Sequence, residues 1–241
     1  MNVDFMRFVD KWIGIPACLF FSFFYKLFKP FSQNKKIKIK KILFLQISEM
    51  GSAISAYSSI KKAKELYPEA EIYYFIFKEM QESVHLLNII PRKNVFTIPS
   101  KSLLGFLFGI LKMIWKMRSM KFDAVLDLEL FSRLSSLLSY LFKIPIRVAF
   151  NSFYMEGLYR GDYHTHKVIY NHLKHISYNF LSLVYALKSD NTESVHSKIM
   201  IPKSDIKVPK IEDSIKNKNN IMQKLQYVNP EINQTKKLIL I

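Results

Sequence analysis

Hydrophobic positions in this chain recur with two periods, and the places where one gives way to the other outline its elements. The run Lys41-Ile42-Leu43-Phe44-Leu45 is apolar on both faces, as a strand covered on both sides must be. After the turn Gln46-Ile47-Ser48-Glu49-Met50-Gly51-Ser52, the residues Ala53, Ala56, Tyr57, Ile60, Ala63 and Tyr67 return at helical spacing. The alternation then repeats: strands are expected at 72–77, 95–98, 122–129 and 146–150, helices at 79–87, 103–117, 132–142 and 170–187. Continuous apolar strands joined by helix-length crossovers predict an α/β domain over 35–188, a Rossmann-like doubly wound parallel sheet with helices on both faces. Ligands of such sheets lie beyond the carboxyl ends of the strands, which places the first βα turn at the site.

The flanks read differently. Residues 1–34 form an apolar membrane-interface segment and the start of a basic linker. From Trp12 to Tyr25 the segment is rich in aromatics and flanked by Arg7, Lys11, Lys26 and Lys29. It is shorter than the roughly 20 apolar residues that cross a bilayer, and no small-residue cleavage site follows it. It is expected to lie in the headgroup region, with Trp12 and Tyr25 at headgroup depth; the alternative is a helix docked on the protein's own core. The helix at 103–117 is apolar nearly all round, so it is either buried, the stronger reading, or a second membrane contact. Residues 189–235 read as a polar linker with one short helix near 221–226, and 236–241 as the first strand of a second domain that is missing.

Charge narrows the partner. Lys and Arg number 36 against 19 Asp and Glu, a formal net charge of +17, which suits an anionic partner (nucleic acid, acidic lipid, a phosphorylated glycan or a sugar nucleotide) without choosing among them, the alternative being a lysine-rich surface that serves solubility. None of the common nucleic-acid-binding patterns is present, so nucleic acid is not expected. Cys18 is the one cysteine, which excludes an intrachain disulfide and a cysteine-based zinc site. The histidine spacings and the lack of HExxH argue against a metal, and there is no P-loop and no GxSxG elbow.

Three groups of polar residues fall at expected carboxyl ends of strands: Ser48, Glu49, Gly51 and Ser52 after the first; Asp127, Glu129 and Arg133 around the fourth; Glu156, Arg160 and His164 in the loop after the fifth. A carboxylate there can take a proton from an attacking hydroxyl, and an arginine can hold a phosphate or carboxylate through its fork. Glu129 with Arg133, and Glu156 with Arg160, are also spaced as i,i+4 ion pairs, and Asp127 reads as a structural hydrogen-bonding group.

Taken in order, Lys40 to Ser52, then Leu66-Tyr67-Pro68-Glu69-Ala70-Glu71-Ile72, then Lys121 to Glu129, Arg147-Val148-Ala149-Phe150, Glu156-Gly157-Leu158 and Thr165-His166-Lys167-Val168 resemble the amino-terminal half of the lipopolysaccharide heptosyltransferase family. The resemblance implies the acceptor half of a GT-B glycosyltransferase on the cytoplasmic side of the inner membrane. It implies a lipopolysaccharide core or similar phosphorylated glycolipid acceptor, an ADP-heptose donor, inversion at the sugar carbon, and no metal or other cofactor. It makes Glu49 and Glu129 the candidate bases and Ser48, Gly51, Ser52, Arg133, Glu156, Arg160 and His164 the candidate acceptor contacts. The family pattern generally has Asp as base where this chain has Ser52. The donor site is expected to be missing, with a separate donor-domain chain as one implied partner. The alternative is a non-catalytic glycolipid-binding module at the membrane surface.

Overall fold

The computed structural model describes residues 3–28, 37–47, 50–100, 102–150, 159–188, 195–196, 200–210, 215–229 and 232. It divides into two units, Met1–Pro209 and Lys210–Ile241. The second contains a polar helix at Ile215–Val228, longer than the expected turn or two at 221–226. The expected strand at 236–241 lies outside the described residues.

The first unit is built on one parallel sheet of β1 (Lys41–Leu45), β2 (Glu71–Phe77), β3 (Val95–Ile98), β4 (Ala124–Asp127), β5 (Ile146–Phe150), β6 (His166–Val168) and β7 (Val195–His196), in spatial order β3-β2-β1-β4-β5-β6-β7. Its register pairs Leu43 with Tyr73 on one side and with Val125 on the other. Because side chains alternate along a strand, β1 feeds two cores. Ile42 and Phe44 join the layer with α3 (Met50–Ser55), α4 (Tyr57–Leu66), α5 (Gln81–Leu86) and α8 (Ile176–Ala186). Leu43 and Leu45 join the layer with α6 (Leu103–Met120) and α7 (Arg133–Leu141). All four residues are fully buried, which explains why β1 shows no polar alternation.

The strand order reverses beside β1: the chain leaves it for β2 on one side and returns from β3 to β4 on the other. A crevice opens beyond the carboxyl edge at such a switch point.

Two N-terminal helices, α1 (Val3–Trp12) and α2 (Gly14–Phe28), lie on the outer side of α7. Backbone hydrogen bonds from Ile13 to Val9 and from Ala17 to Ile13 carry the helical pattern across their junction. The helical stretch Phe8–Phe28 is therefore 21 residues long, with mean hydropathy 1.3, and reaches the length and composition of a membrane span, which Trp12 to Tyr25 alone does not. One face of it is docked. Gly14, Cys18 and Ser22, spaced by one helical turn, are buried, and a Cβ at Gly14 would come within 2.9 Å of the Arg133 side chain. Ser22 accepts from the Asp162 amide and Tyr159 hydroxyl, and Lys26 pairs with Asp162 at 2.8 Å. The opposite face exposes Trp12, Ile13, Leu19, Phe20, Phe23, Leu27 and Phe28. Tyr25 is half-buried and packs edge-on against Tyr140.

Helix α6 is likewise divided. Phe106, Met113 and Met117 enter the core, while Leu104, Leu107, Phe108, Leu111 and Trp115 form an exposed stripe. The core reading of this helix thus holds for one face, and the other is an exposed apolar surface. It starts at the Ser102 cap and ends where Lys121 turns left-handed.

Several boundaries differ from expectation. The helix expected at 170–187 begins at Ile176, because His175 caps it and Asn179 folds the preceding residues back through Asn171. Residues 200–207, read as linker, are held to α4 and α8 by Asp205, which takes hydrogen bonds from Lys62 and Tyr185. Strands β6 and β7 were not expected at all.

Candidate functional site

At the switch point, Glu129 follows β4 and turns its carboxylate toward the end of β1, where its Oε1 accepts the Ile47 amide at 2.7 Å. The buried amide Gln46, just past β1, accepts the Tyr74 hydroxyl. That phenol is raised well above its usual range by burial and by the nearby Glu129 charge. Beyond them the first βα turn enters α3, where Ser52 is buried and Gly51 faces open space, since a Cβ there would meet nothing within 4 Å. Gly51, Ser52 and Glu129 thus lie around the same end of the sheet. Ser48, Glu49 and Glu156 lie outside the described residues.

Behind this edge sits a buried polar cluster. Asp127, the last residue of β4, is fully buried; it pairs with Arg160 and accepts from the Ser135 hydroxyl at 3.1 Å and the Glu129 amide at 3.1 Å. Burial pushes its carboxyl up to about 6, with Arg160 opposing the shift and Glu129 adding to it. The Arg160 guanidinium also donates to the Ser132 carbonyl and Ser135 hydroxyl, and its Nη1 is buried without a partner among the described residues. His164 is buried against the Ser136 hydroxyl at 3.2 Å. Burial and the flanking cations hold its pKa well below the ordinary range, so it is neutral at pH 7.

Arg133 does not pair with Glu129 in spite of the i,i+4 spacing. Its guanidinium binds Asp10 of α1 at 2.9 Å and the Tyr159 carbonyl at 2.9 Å. The Asp10 carboxylate also accepts the Arg133 and Leu134 amides, so a residue 123 positions away occupies the amino end of α7, where free amides and the helix dipole favour negative charge. Arg160 pairs with Asp127, which makes the hydrogen bonds expected of it; Glu156, the i,i+4 partner that spacing suggested for Arg160, lies outside the described residues.

Sequence reasoning passed over Asp10, Gln46 and the serines behind the cluster. The serines had a visible signal: Ser132, Ser135, Ser136 and Ser139 recur at three- and four-residue spacing, and the last three are fully buried. Nothing local in the sequence marks the distant pairing of Asp10. Among the described residues no group of three His, Cys, Asp or Glu is placed to hold a metal ion.

No protein-family model matches the chain. No curated protein matches it either. Solved structures do. A glycosyl transferase family 9 protein from Veillonella parvula aligns at TM-score 0.56 and 14% identity, covering 82% of this chain and 52% of its own. The E. coli ADP-heptose lps heptosyltransferase II aligns at TM-score 0.55 and 16% identity, covering 77% and 50%. The E. coli heptosyltransferase WaaC aligns at TM-score 0.50 and 12% identity, covering 64% and 50%. The chain therefore spans about half the length of these structures and shares the fold of that half, a Rossmann-like parallel sheet flanked by helices.

Proposed function

We propose that the sheet domain is the acceptor-binding half of a heptosyltransferase-type glycosyltransferase working at an anionic membrane surface on the cytoplasmic side of the inner membrane. The observation that carries this reading is Glu129, whose carboxylate bridges the ends of β4 and β1 at the point where strand order reverses. The likeness of fold to glycosyltransferases and the net charge of +17 support it.

In this reading the core sugar of a lipopolysaccharide acceptor lies along the turn from Gly51 to Ala53. A carboxylate, Glu129 or Glu49, takes the proton of its hydroxyl as that oxygen attacks the anomeric carbon of the donor heptose. The new bond forms from oxygen to carbon, and the bond to the nucleoside diphosphate breaks with the electron pair leaving on phosphate. The ADP-heptose donor is held by a second domain facing this edge, carried on further sequence or on a separate chain. No metal or other cofactor is called for.

Soluble oligosaccharide from heptose-deficient lipopolysaccharide is expected to bind saturably. Glu129→Gln, which keeps an acceptor for the Ile47 amide, should weaken it about tenfold through loss of one charge-assisted hydrogen bond. Absence of saturable binding, measured by calorimetry, would overturn the reading. Ser52, standing where the resembled family has Asp, favours a second one: a glycolipid-binding module without catalysis, for which Glu129→Gln should leave binding unchanged.

A further inference from the structure

A cavity lies away from the carboxyl-edge site, between α2 and the end of α7. Its volume is about 480 Å³, the size of a small-ligand site. Phe21, Phe24 and Phe28 of α2 form one wall and Tyr140 of α7 stands opposite. Three cations line it, Arg118, Lys143 and Arg147, and among the described residues no carboxylate does.

The three cations are set at different depths. Arg147 is buried, with its guanidinium carbon 5.3 Å from the Tyr25 ring centre and 5.7 Å from that of Tyr140. Its Nε donates to the Tyr163 carbonyl at 2.8 Å, and its Nη1 donates to the Ile144 carbonyl. Among the described residues its charge is met by π faces and carbonyls, which leave a net positive field in a low-dielectric setting. Arg118 is half-buried and anchored through Nε to the Leu141 carbonyl at 2.7 Å, and Lys143 is exposed. Phe28 and a further lining residue, Phe20, are 61% and 57% exposed, so the cavity opens onto the bare apolar face of α2.

We propose that this cavity binds an anionic glycerophospholipid, its phosphate between Arg118 and Lys143 and its first acyl carbons against the α2 phenylalanines. The occupant follows from the wall: three cations with no carboxylate beside them among the described lining select an anion, the aromatic surface selects an apolar chain, and the mouth is continuous with the face that would meet lipid. α6, on the same side of the sheet, carries an exposed apolar stripe of its own. The cavity would thus fix the orientation of the domain on the membrane, adding one stoichiometric lipid contact to a diffuse apolar and electrostatic one. The inference rests on the membrane reading above, but its test does not need a bilayer.

Short-chain phosphatidylglycerol, kept below its micelle concentration, is titrated into the full chain by calorimetry. Saturable one-to-one binding is expected. Lys143→Glu should weaken it about tenfold, in keeping with the contribution of a basic residue next to an anionic headgroup. Lys61→Glu, the same charge change at an exposed position of α4 on the opposite face, should leave it unchanged. Lys143 is exposed, and melting temperature verifies that its variant is folded. The proposal is overturned by any of four results: no binding, equal binding by Lys143→Glu, equal affinity for glycerol phosphate (a bare anion site), or equal affinity for short-chain phosphatidylcholine (an apolar pocket indifferent to charge). If vesicle binding fails while the soluble lipid still binds, the membrane reading falls and the cavity assignment stands.

Discussion

Replacing Arg160 with methionine is expected to destabilise the folded chain by about 3 kcal/mol or more at pH 8, because it strands a buried carboxylate without its cation. Asp127 is fully buried, and the Ser135 hydroxyl and Glu129 amide cannot neutralise its charge. The effect should depend on pH. Burial already pushes the Asp127 carboxyl up to about 6 with Arg160 opposing, so removing the arginine moves it higher. An unfolded aspartate titrates near 4, so folding takes up a proton between about pH 4 and 6. This group's contribution to stability is therefore greatest below that window and falls as pH rises through it. In the variant the fall extends to higher pH. Below pH 5 Asp127 is protonated in both folded proteins and needs no cation, so the gap between them should shrink to a small fraction of its value at pH 8. Burial pushes Asp162 up while Lys26 and Lys167 more than reverse it; groups of that kind titrate alike in both proteins and cancel in the difference. Urea unfolding at pH 5 and pH 8 measures the gap, and an equal loss at both would mean that Asp127 does not carry a buried charge.

The second large effect concerns the apolar faces. Phe23 of α2 and Trp115 of α6 are 64% and 74% exposed, so they add little to the stability of the chain in water. Inserted into the headgroup region, each large aromatic contributes about 1.5 kcal/mol or more. The double variant Phe23→Ser with Trp115→Ser is therefore expected to lose about 100-fold in partition to anionic vesicles, with the melting temperature unchanged. The lysines add a part that salt screens, so binding of the unaltered chain should weaken but persist at high ionic strength. Undiminished flotation of the double variant would show that these faces do not meet lipid.

The alternation of strand and helix was legible because both faces of the sheet are covered: a strand such as β1, buried on both sides, cannot be mistaken for an amphipathic helix turn. The strands at 95–98 and 146–150 are found with the boundaries the pattern set. Strand order was not legible, since the pairing of β1 with β4 joins positions about 80 residues apart and leaves no local mark. The site divided along the same line. Glu129 stands where the end of an apolar run placed it, whereas the partners of Arg133 and Arg160 came from distant elements, and for Arg133 this displaced the i,i+4 pair with Glu129 that spacing suggested. β6 is three residues long, and a strand that short is specified by its neighbour β5 more than by its own pattern. The docked face of α2 could have been read from Gly14, Cys18 and Ser22, small residues one turn apart in a helix otherwise crowded with phenylalanine.

The central claim is that the carboxyl edge at the switch point, and not only the apolar surface, recognises the acceptor. Amide hydrogen exchange of the full chain with and without vesicles bearing heptose-deficient lipopolysaccharide tests it residue by residue. Vesicles of matched charge without the glycan serve as reference. The expected result is glycan-dependent slowing at Gly51–Ala53 and Leu128–Leu130, over and above slowing in α2 and α6 that both kinds of vesicle produce. Slowing confined to α2 and α6, identical with and without the glycan, would contradict it and leave a domain that binds membranes without reading the sugar.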